Sequence, residues 1–489
     1  MSTKSNKHAN AEQKYYGDFS GGLNLSLPAE GLASNEMQLC ENFEFDPSTG
    51  ALRLRPGLAL VGAIPGAVRN IVPVAGGSDA LLIRGENNAM YRLEANSTPA
   101  ACGTISGDGE LSAAPWGDGD ELVLCAGAHL YYYDGSIVTE VETSPEICDL
   151  CFVRDGRVGV VDSSGDRINY SGVGDCTNWQ FMSAVSDDWT EMDAVWIEVG
   201  YKDGCDLVCV VPLATDLIVF KSPRGRPGAG RIYRVVGSYP DWEVKEAAQG
   251  SSAWNSASAQ PTVSDVLFLT AEGVASLGTV SDYGDIKMNW PGRKVNPRIA
   301  KEICAECAMW RMPSASQMWV RTRAGSRIWV YSYNIGAWTR FVFSGRVADA
   351  CDSGLARYAA VGNKVYKMDE NVSDDDGTAF SGHIKMQTLR KLGMILVKQL
   401  YVGYASMAAS VATMLINKHE VALTLGGQLG DLAEEDTDVA ALDDDPLLSA
   451  ASASVRARIN IRTWDATAEL VVTHGPFNLN AIGLEIAEV

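Results

Sequence analysis

The chain has 489 residues, with 40 Lys+Arg against 61 Asp+Glu and a formal charge of −21. Apolar residues make up 46% and charged residues 21%, a globular composition rather than a disordered one, and the length allows two to four ordinary domains or one large repeat architecture with an appended domain. The acidic balance argues against a protein that grips nucleic acid through clustered Lys and Arg, but not against one past which DNA slides, because a negative wall repels a polyanion.

Glycine stands out, with 48 residues against 18 prolines and no Gly-X-Y period, and this predicts many tight turns. The start, MSTKSNKHANAEQ, is polar and lacks the apolar core of a secretory signal, so it is expected to be a flexible arm. No apolar run reaches the 18 to 20 residues of a membrane span, which predicts a soluble chain made in a cytoplasm.

Strand signals then dominate. HLYYYDGSIVTEV (129–141), DLIVFKS (216–222), VLFLTAEGVASL (266–277), RIWVYSYN (327–334) and GNKVYKMDE (362–370) are short β-branched or aromatic runs bounded by Gly, Asp, Asn or Ser. Asp134-Gly135, Asp155-Gly156 and Asp203-Gly204 are hairpin dipeptides. One amphipathic helix is expected, over Asn296 to Met309, with Ile299, Ile303 and Cys307 on one face. An aromatic-rich strand recurs at Tyr91, Tyr132, Tyr170, Phe220, Phe268, Tyr331 and Tyr366, at intervals of 35 to 63 residues. Propeller blades repeat every 40 to 50 residues or so, and the spacing predicts a β-propeller of six or seven blades over about 60–370.

The acidic stretch Glu370 to Gly377 marks a boundary. Beyond it KMQTLRKLGMILVKQLYVGYA (385–405) reads as a strand hairpin, and VRARINIRTW (455–464) alternates apolar and polar residues as a half-buried strand does. Asp431 to Asp445 holds eight carboxylates and no base, which reads as a solvated loop. The domains expected are therefore an arm and entry strand over 1–59, the propeller over 60–370, and a C-terminal β-sandwich-like domain over 371–489.

Eleven cysteines, an odd number without a signal peptide, favour reduced thiols. Cys148/Cys151 and Cys304/Cys307 form two CxxC pairs, but some 150 residues separate them where a zinc ribbon has about 15 to 20. They are read as small buried hydrophobes, and no metal is expected. The five histidines, His8, His129, His383, His419 and His474, make no HExxH, and neither a GxSxG elbow nor a P-loop is present. Ser373 to Phe380 approximates the Asp-box turn of sialidase-like propellers, departing at Ala379 and Phe380, and such a turn is structural in any case. No catalytic residue and no cofactor are assigned. The densest positive feature is the hairpin carrying Arg224, Arg226 and Arg231, which suits contact with phosphates or with carboxylates of a partner, another copy included.

The most specific stretch lies near the start: Gly17-Asp-Phe-Ser-Gly21-Gly22-Leu-Asn24, then Pro28, Leu32, Asn35-Glu36, Asn42-Phe43, and Gly50-Ala-Leu-Arg53-Leu-Arg55-Pro56-Gly57. This order resembles the opening of the tail hub or nozzle (stabilisation) proteins of short-tailed bacteriophages. Ile168 to Asp175 with Trp179, Phe268 to Val274, and Val330 to Asn334 with Trp338-Thr339 are similar to later segments of that family, so the resemblance covers about two-thirds of the chain. It implies a homohexameric ring in the virion tail, beneath the portal and its adaptor ring and bearing spikes or fibres. Such a ring retains packaged double-stranded DNA and passes it, independent of sequence, during ejection. A non-catalytic propeller that binds glycans as a lectin or adhesin is the alternative, and a sialidase- or glycosidase-like propeller a third reading.

Overall fold

A computed structural model describes residues 11–74, 80–94, 97–182, 189–279, 286–406, 411–424, 453–473 and 477–488. The chain folds into two compact units, one of residues 60–328 and 343–368, the other of residues 1–59, 329–342 and 369–489. The acidic stretch 431–445, His8 and His474 lie outside the described residues.

The first unit is a β-propeller. Five antiparallel four-stranded sheets follow one another along the chain, each a simple meander, with innermost strands Val68–Pro73, Ser112–Pro115, Leu150–Arg154, Asp206–Leu213 and Ala259–Pro261. A sixth blade begins with the hairpin of Ala308–Met312 and Gln317–Arg321, where Trp310 stands opposite Trp319, and the chain leaves the unit in the following strand. The seventh blade starts at Val347–Asp352 and takes its last strand from Gly57–Ala63, at the other end of the sequence. Next to that strand the Ile64 amide donates to the Asn363 carbonyl at 3.0 Å. This pairing closes the ring. One apolar cluster accordingly joins Ile64, Val68, Ile71 and Ile83 of the first blade to Tyr358, Ala360 and Val365 of the seventh.

Each of the seven aromatic markers falls in a different strand meander, so the blade count is seven. The second strand of a blade lies between two neighbours and is buried on both faces, as in Leu81–Gly85, Leu122–Cys125 and Arg157–Val161. Such strands read as unbroken apolar runs. Outer strands such as Glu243–Gln249 (EVKEAAQ) are largely exposed and polar, and the sequence reading passed over them. Trp179 is buried between blades two and three, beside Cys125, Cys148 and Cys151.

The helix expected over Asn296 to Met309 is not formed. Pro297 starts a single turn, Asn296–Ile299, a 3-10 turn follows over Ala300–Glu302, and Cys307 already leads into the inner strand of blade six. The apolar spacing of Ile299 and Cys307 comes from two separate burials, which a helical period mimics.

The second unit is built on one long strand, Ser381–Ser406, which pairs antiparallel with Ala453–Thr473 along its length. The expected hairpin at 385–405 is therefore one continuous strand. Its register shifts between Arg390 and Ile395, where extra residues bulge out and Leu392 is fully exposed, so the turn-prone Leu-Gly pair bends the strand without reversing it. Residues 11–59 do not stand apart: Ala11–Tyr16 pairs with the C-terminal strand Phe477–Glu488, and Glu36–Glu41 pairs with the long strand. Phe43, Phe45, Leu52 and Ile384, with Val397, Leu470 and Leu484, share one core. Trp338 is buried in this unit, its ring 4.9 Å from that of Tyr331.

Candidate functional site

Three places bear on function: the N-terminal motif, the central cavity of the propeller, and the arginine hairpin.

The motif residues converge in the second unit. Arg55 is 2% exposed, and its guanidinium meets Asp375 in a bidentate pair, at 2.9 Å to Oδ1 and 2.6 Å to Oδ2. The same head donates to Asn42 Oδ1 at 3.1 Å and to the Pro56 carbonyl at 3.0 Å. Asn42 adopts a left-handed φ of 57° and donates to the Ser381 carbonyl, while its Oδ1 also accepts from the Val342 amide. Asparagine tolerates that backbone better than most residues. Arg53 reaches Glu44, Asp46 and Glu370. Gly57 is required by close approach, since a Cβ there would stand 2.4 Å from the Asp374 carbonyl oxygen and 2.5 Å from that of Val372. Gly22 combines a φ of 64° with Trp338 backbone against its open side, and a Cβ on Gly21 would strike the Asn35 carbonyl. Asn24 is buried and accepts from the Ser26 amide and hydroxyl. Asp375 itself sits in the Asp-box-like turn, closed by hydrogen bonds between Asp375 and Thr378 and by the Gly377 amide donating to Asp374. Residues some 320 apart in sequence thus lock the first and last segments of the unit together.

The propeller encloses a central cavity of about 480 Å³ walled by all seven inner strands. Its polar wall includes Asn70, Glu110, Asp149 and Asp349, with Trp310 and Arg321. Asp349 accepts from the Trp310 indole at 2.6 Å, from the Ile71 amide at 2.9 Å and from the Ala350 amide at 3.0 Å. Burial pushes the Asp349 carboxyl up to about 6, with the Glu110 carboxylate adding to the effect and the Arg321 guanidinium opposing it. Arg321 spends its donors on the carbonyls of Glu306, Val347 and Ala348 and lies 5.2 Å over the Trp310 ring. These groups hold inner strands together. None of them was singled out from the sequence, because nothing in their local spacing marks an inner strand.

The arginine hairpin links the strands Asp216–Ser222 and Arg231–Val236 of blade four. Arg224 pairs with Asp206 at 2.6 Å and Arg231 with Glu246 at 3.0 Å, so two of its three charges are met within the blade. Arg226 is exposed at the tip and has no ion pair among the described residues.

Among the described residues no group of three or more His, Cys, Asp or Glu is placed to hold a metal ion. Cys148 and Cys151 lie between blades two and three, whereas Cys304 and Cys307 precede the inner strand of blade six with their sulfurs 3.8 Å apart, so the two CxxC pairs do not meet. His129 contacts the Ser144 carbonyl and His383 pairs with Glu469, both structural positions. Among the described residues no helix is long and apolar enough to cross a membrane.

No family model matches the chain, and no curated protein matches it. Among solved structures it is similar to virginiamycin B lyase from Staphylococcus aureus (12% identity, TM-score 0.42, covering 62% of this chain and 94% of that one). It is also similar to the WD40 propeller domain of Doa1 (10%, TM-score 0.42, 64% and 97%) and to BamB from Moraxella catarrhalis (11%, TM-score 0.40, 68% and 93%). Two of these three are named as a lyase and a WD40 propeller, and likeness at this level says nothing about activity. The topology described above makes this chain a seven-bladed β-propeller joined to a second all-β unit.

Proposed function

We propose that the protein is a non-catalytic structural component of a short-tailed phage virion, the hub or nozzle of the tail, assembled as a homohexameric ring through which packaged DNA is retained and then released. The observation that carries this reading is the N-terminal motif. The residues of its family-like order, Asn42, Arg55, Pro56 and Gly57, are those that tie the second unit together around Asp375, so a pattern found by resemblance coincides with a buried, geometrically demanding node. A scaffold of rigid strands with a net charge of −21 also suits a conduit that a polyanion must traverse. The work asked of such a protein is support, self-association and docking to an adaptor ring above and to spikes or fibres beside it.

The test is negative-stain microscopy of the purified protein, alone and mixed with an adaptor-ring protein from the same source. Sixfold rings are expected. Monomers under both conditions would overturn the reading. Saturable glycan binding by such a monomer would assign it instead to the lectin or adhesin class.

A further inference from the structure

We propose that the exposed face of the strand Ala453–Thr473 is a contact for the phosphate backbone of double-stranded DNA. The proposal deepens the conduit reading and rests on it for the identity of the polyanion.

The strand is two-faced. Val455, Ala457 and Ile461 stand opposite Val402, Leu400 and Val397, which are buried in the core of the second unit. The intervening positions Arg456, Arg458, Asn460 and Arg462 are exposed, and Trp464, 61% exposed, ends the row. In a strand every second side chain advances roughly 6.6 Å on one face. Successive phosphates of one DNA strand advance about 3.4 Å along the helix axis, so every second phosphate advances about 6.8 Å. Arg456 and Arg458 therefore match every second phosphate in spacing as well as in charge, and Arg462 follows beyond a bulge, where the register shifts and Asn460 takes a left-handed φ of 51°.

The charges on this face are unspent. Arg53, Arg55, Arg224, Arg231, Arg234 and Arg340 each meet a carboxylate. Arg456, Arg458 and Arg462 have no carboxylate partner among the described residues, and Arg456 only leans over the Tyr401 ring at 5.8 Å. Across the ladder they face Tyr401, Gln399 and Leu396, which are uncharged. Glu485 stands on the next strand, opposite Gln399, and has Lys398 at 3.9 Å. In so acidic a chain, three exposed guanidiniums with no carboxylate partner among the described residues form a local reversal of sign. A guanidinium offers planar donors suited to phosphate oxygens, and Trp464 adds an apolar surface against which a deoxyribose can rest.

The experiment is fluorescence anisotropy of a short labelled duplex with the full-length protein across a salt series. The native chain is expected to bind at low salt and to weaken steeply as salt rises. The variant R456A/R458A/R462A is expected to lose about tenfold or more, with a salt slope shallower by roughly 3 × 0.9. The variant R456K/R458K/R462K separates charge from folding and should keep most of the binding, as should R226A on the other unit. The proposal is overturned if the native protein ignores duplex at low salt, or if the triple alanine variant binds as tightly while melting like the native chain. Binding of a synthetic peptide of residues 431–445 in place of duplex would overturn it in favour of an acidic protein partner. Rings seen by microscopy without duplex binding would sink this face and leave the conduit standing. Duplex binding by a chain that never forms rings would do the reverse.

Discussion

The indole Nε1–H of Trp310 donates to Oδ1 of Asp349 at 2.6 Å, joining the inner strand of blade six to that of blade seven, while Oδ2 of the same carboxylate takes the Ile71 amide of blade one. One side chain thereby bridges three consecutive inner strands at the point where the ring closes. Backbone pairing within a blade cannot supply this link, because inner strands of neighbouring blades do not share a ladder.

Replacing Asp349 by alanine leaves the Trp310 indole and the Ile71 amide without an acceptor. Unmade hydrogen bonds of this kind cost about 1–3 kcal/mol each, so a loss of about 2 to 6 kcal/mol is expected. Urea unfolding of the native and D349A chains, compared by midpoint at equal slope, measures it. An unchanged midpoint would show that the ring closes without this carboxylate.

The same group gives stability a pH dependence with a definite sign. The folded chain holds the Asp349 proton up to about 6, against an ordinary value of 3.8, so folding binds the proton more tightly than the unfolded chain does. The contribution of this group is therefore full below about pH 4 and is lost as pH rises through about 6. The difference in unfolding free energy between the native chain and D349N, followed from pH 4 to pH 7, should move against the native chain. A flat difference would refute the assignment.

Arg55 and Asp375 form a buried ion pair whose halves are costly apart. Arg55→Met or Asp375→Leu alone is expected to destabilise the second unit by about 3 to 5 kcal/mol, because each strands a charge in the core. The double variant R55M/D375L should recover much of that loss, since two apolar groups demand no partner. A double-mutant cycle by thermal melting decides it, and strict additivity would contradict the pairing.

Burial also orders the thiols. It pushes Cys209 up to about 12 and holds Cys125 well above the ordinary thiol range, while Cys304 is only half-buried. A small thiol reagent should modify Cys304 in the folded protein and reach Cys125 and Cys209 only in denaturant. Peptide mass spectrometry after a timed quench reads this directly. Early labelling of Cys125 would mean that blades two and three separate readily.

Much of the propeller was legible because its second strands are buried on both faces and therefore appear as apolar runs closed by turn residues. Asp216–Ser222 and Asp265–Thr270 are of this kind. The outer strands were not legible, since a polar strand such as EVKEAAQ at 243–249 looks like a loop once its partner is unknown. The false helix at 296–309 and the false hairpin at 385–405 share one cause. Both readings used local signals, and the burial that decided both cases came from distant segments.

Composition and order of residues determined, without any structure, that this is an all-β chain with turn glycines in quantity, a recurring aromatic strand, and a specific motif from Gly21 to Gly57 within a stretch read as arm and entry strand. They also carried the alternation of VRARINIRTW, whose arginines must share one face of a strand. Tertiary structure alone decided that Gly57–Ala63 closes the seventh blade, that Arg55 finds its counter-charge at Asp375, and that the face bearing Arg456, Arg458 and Arg462 lies open. Strand pairing and ion pairing over hundreds of residues depend on which backbone groups and charges are left unsatisfied when the whole chain has folded, and a sequence read in windows does not hold that information.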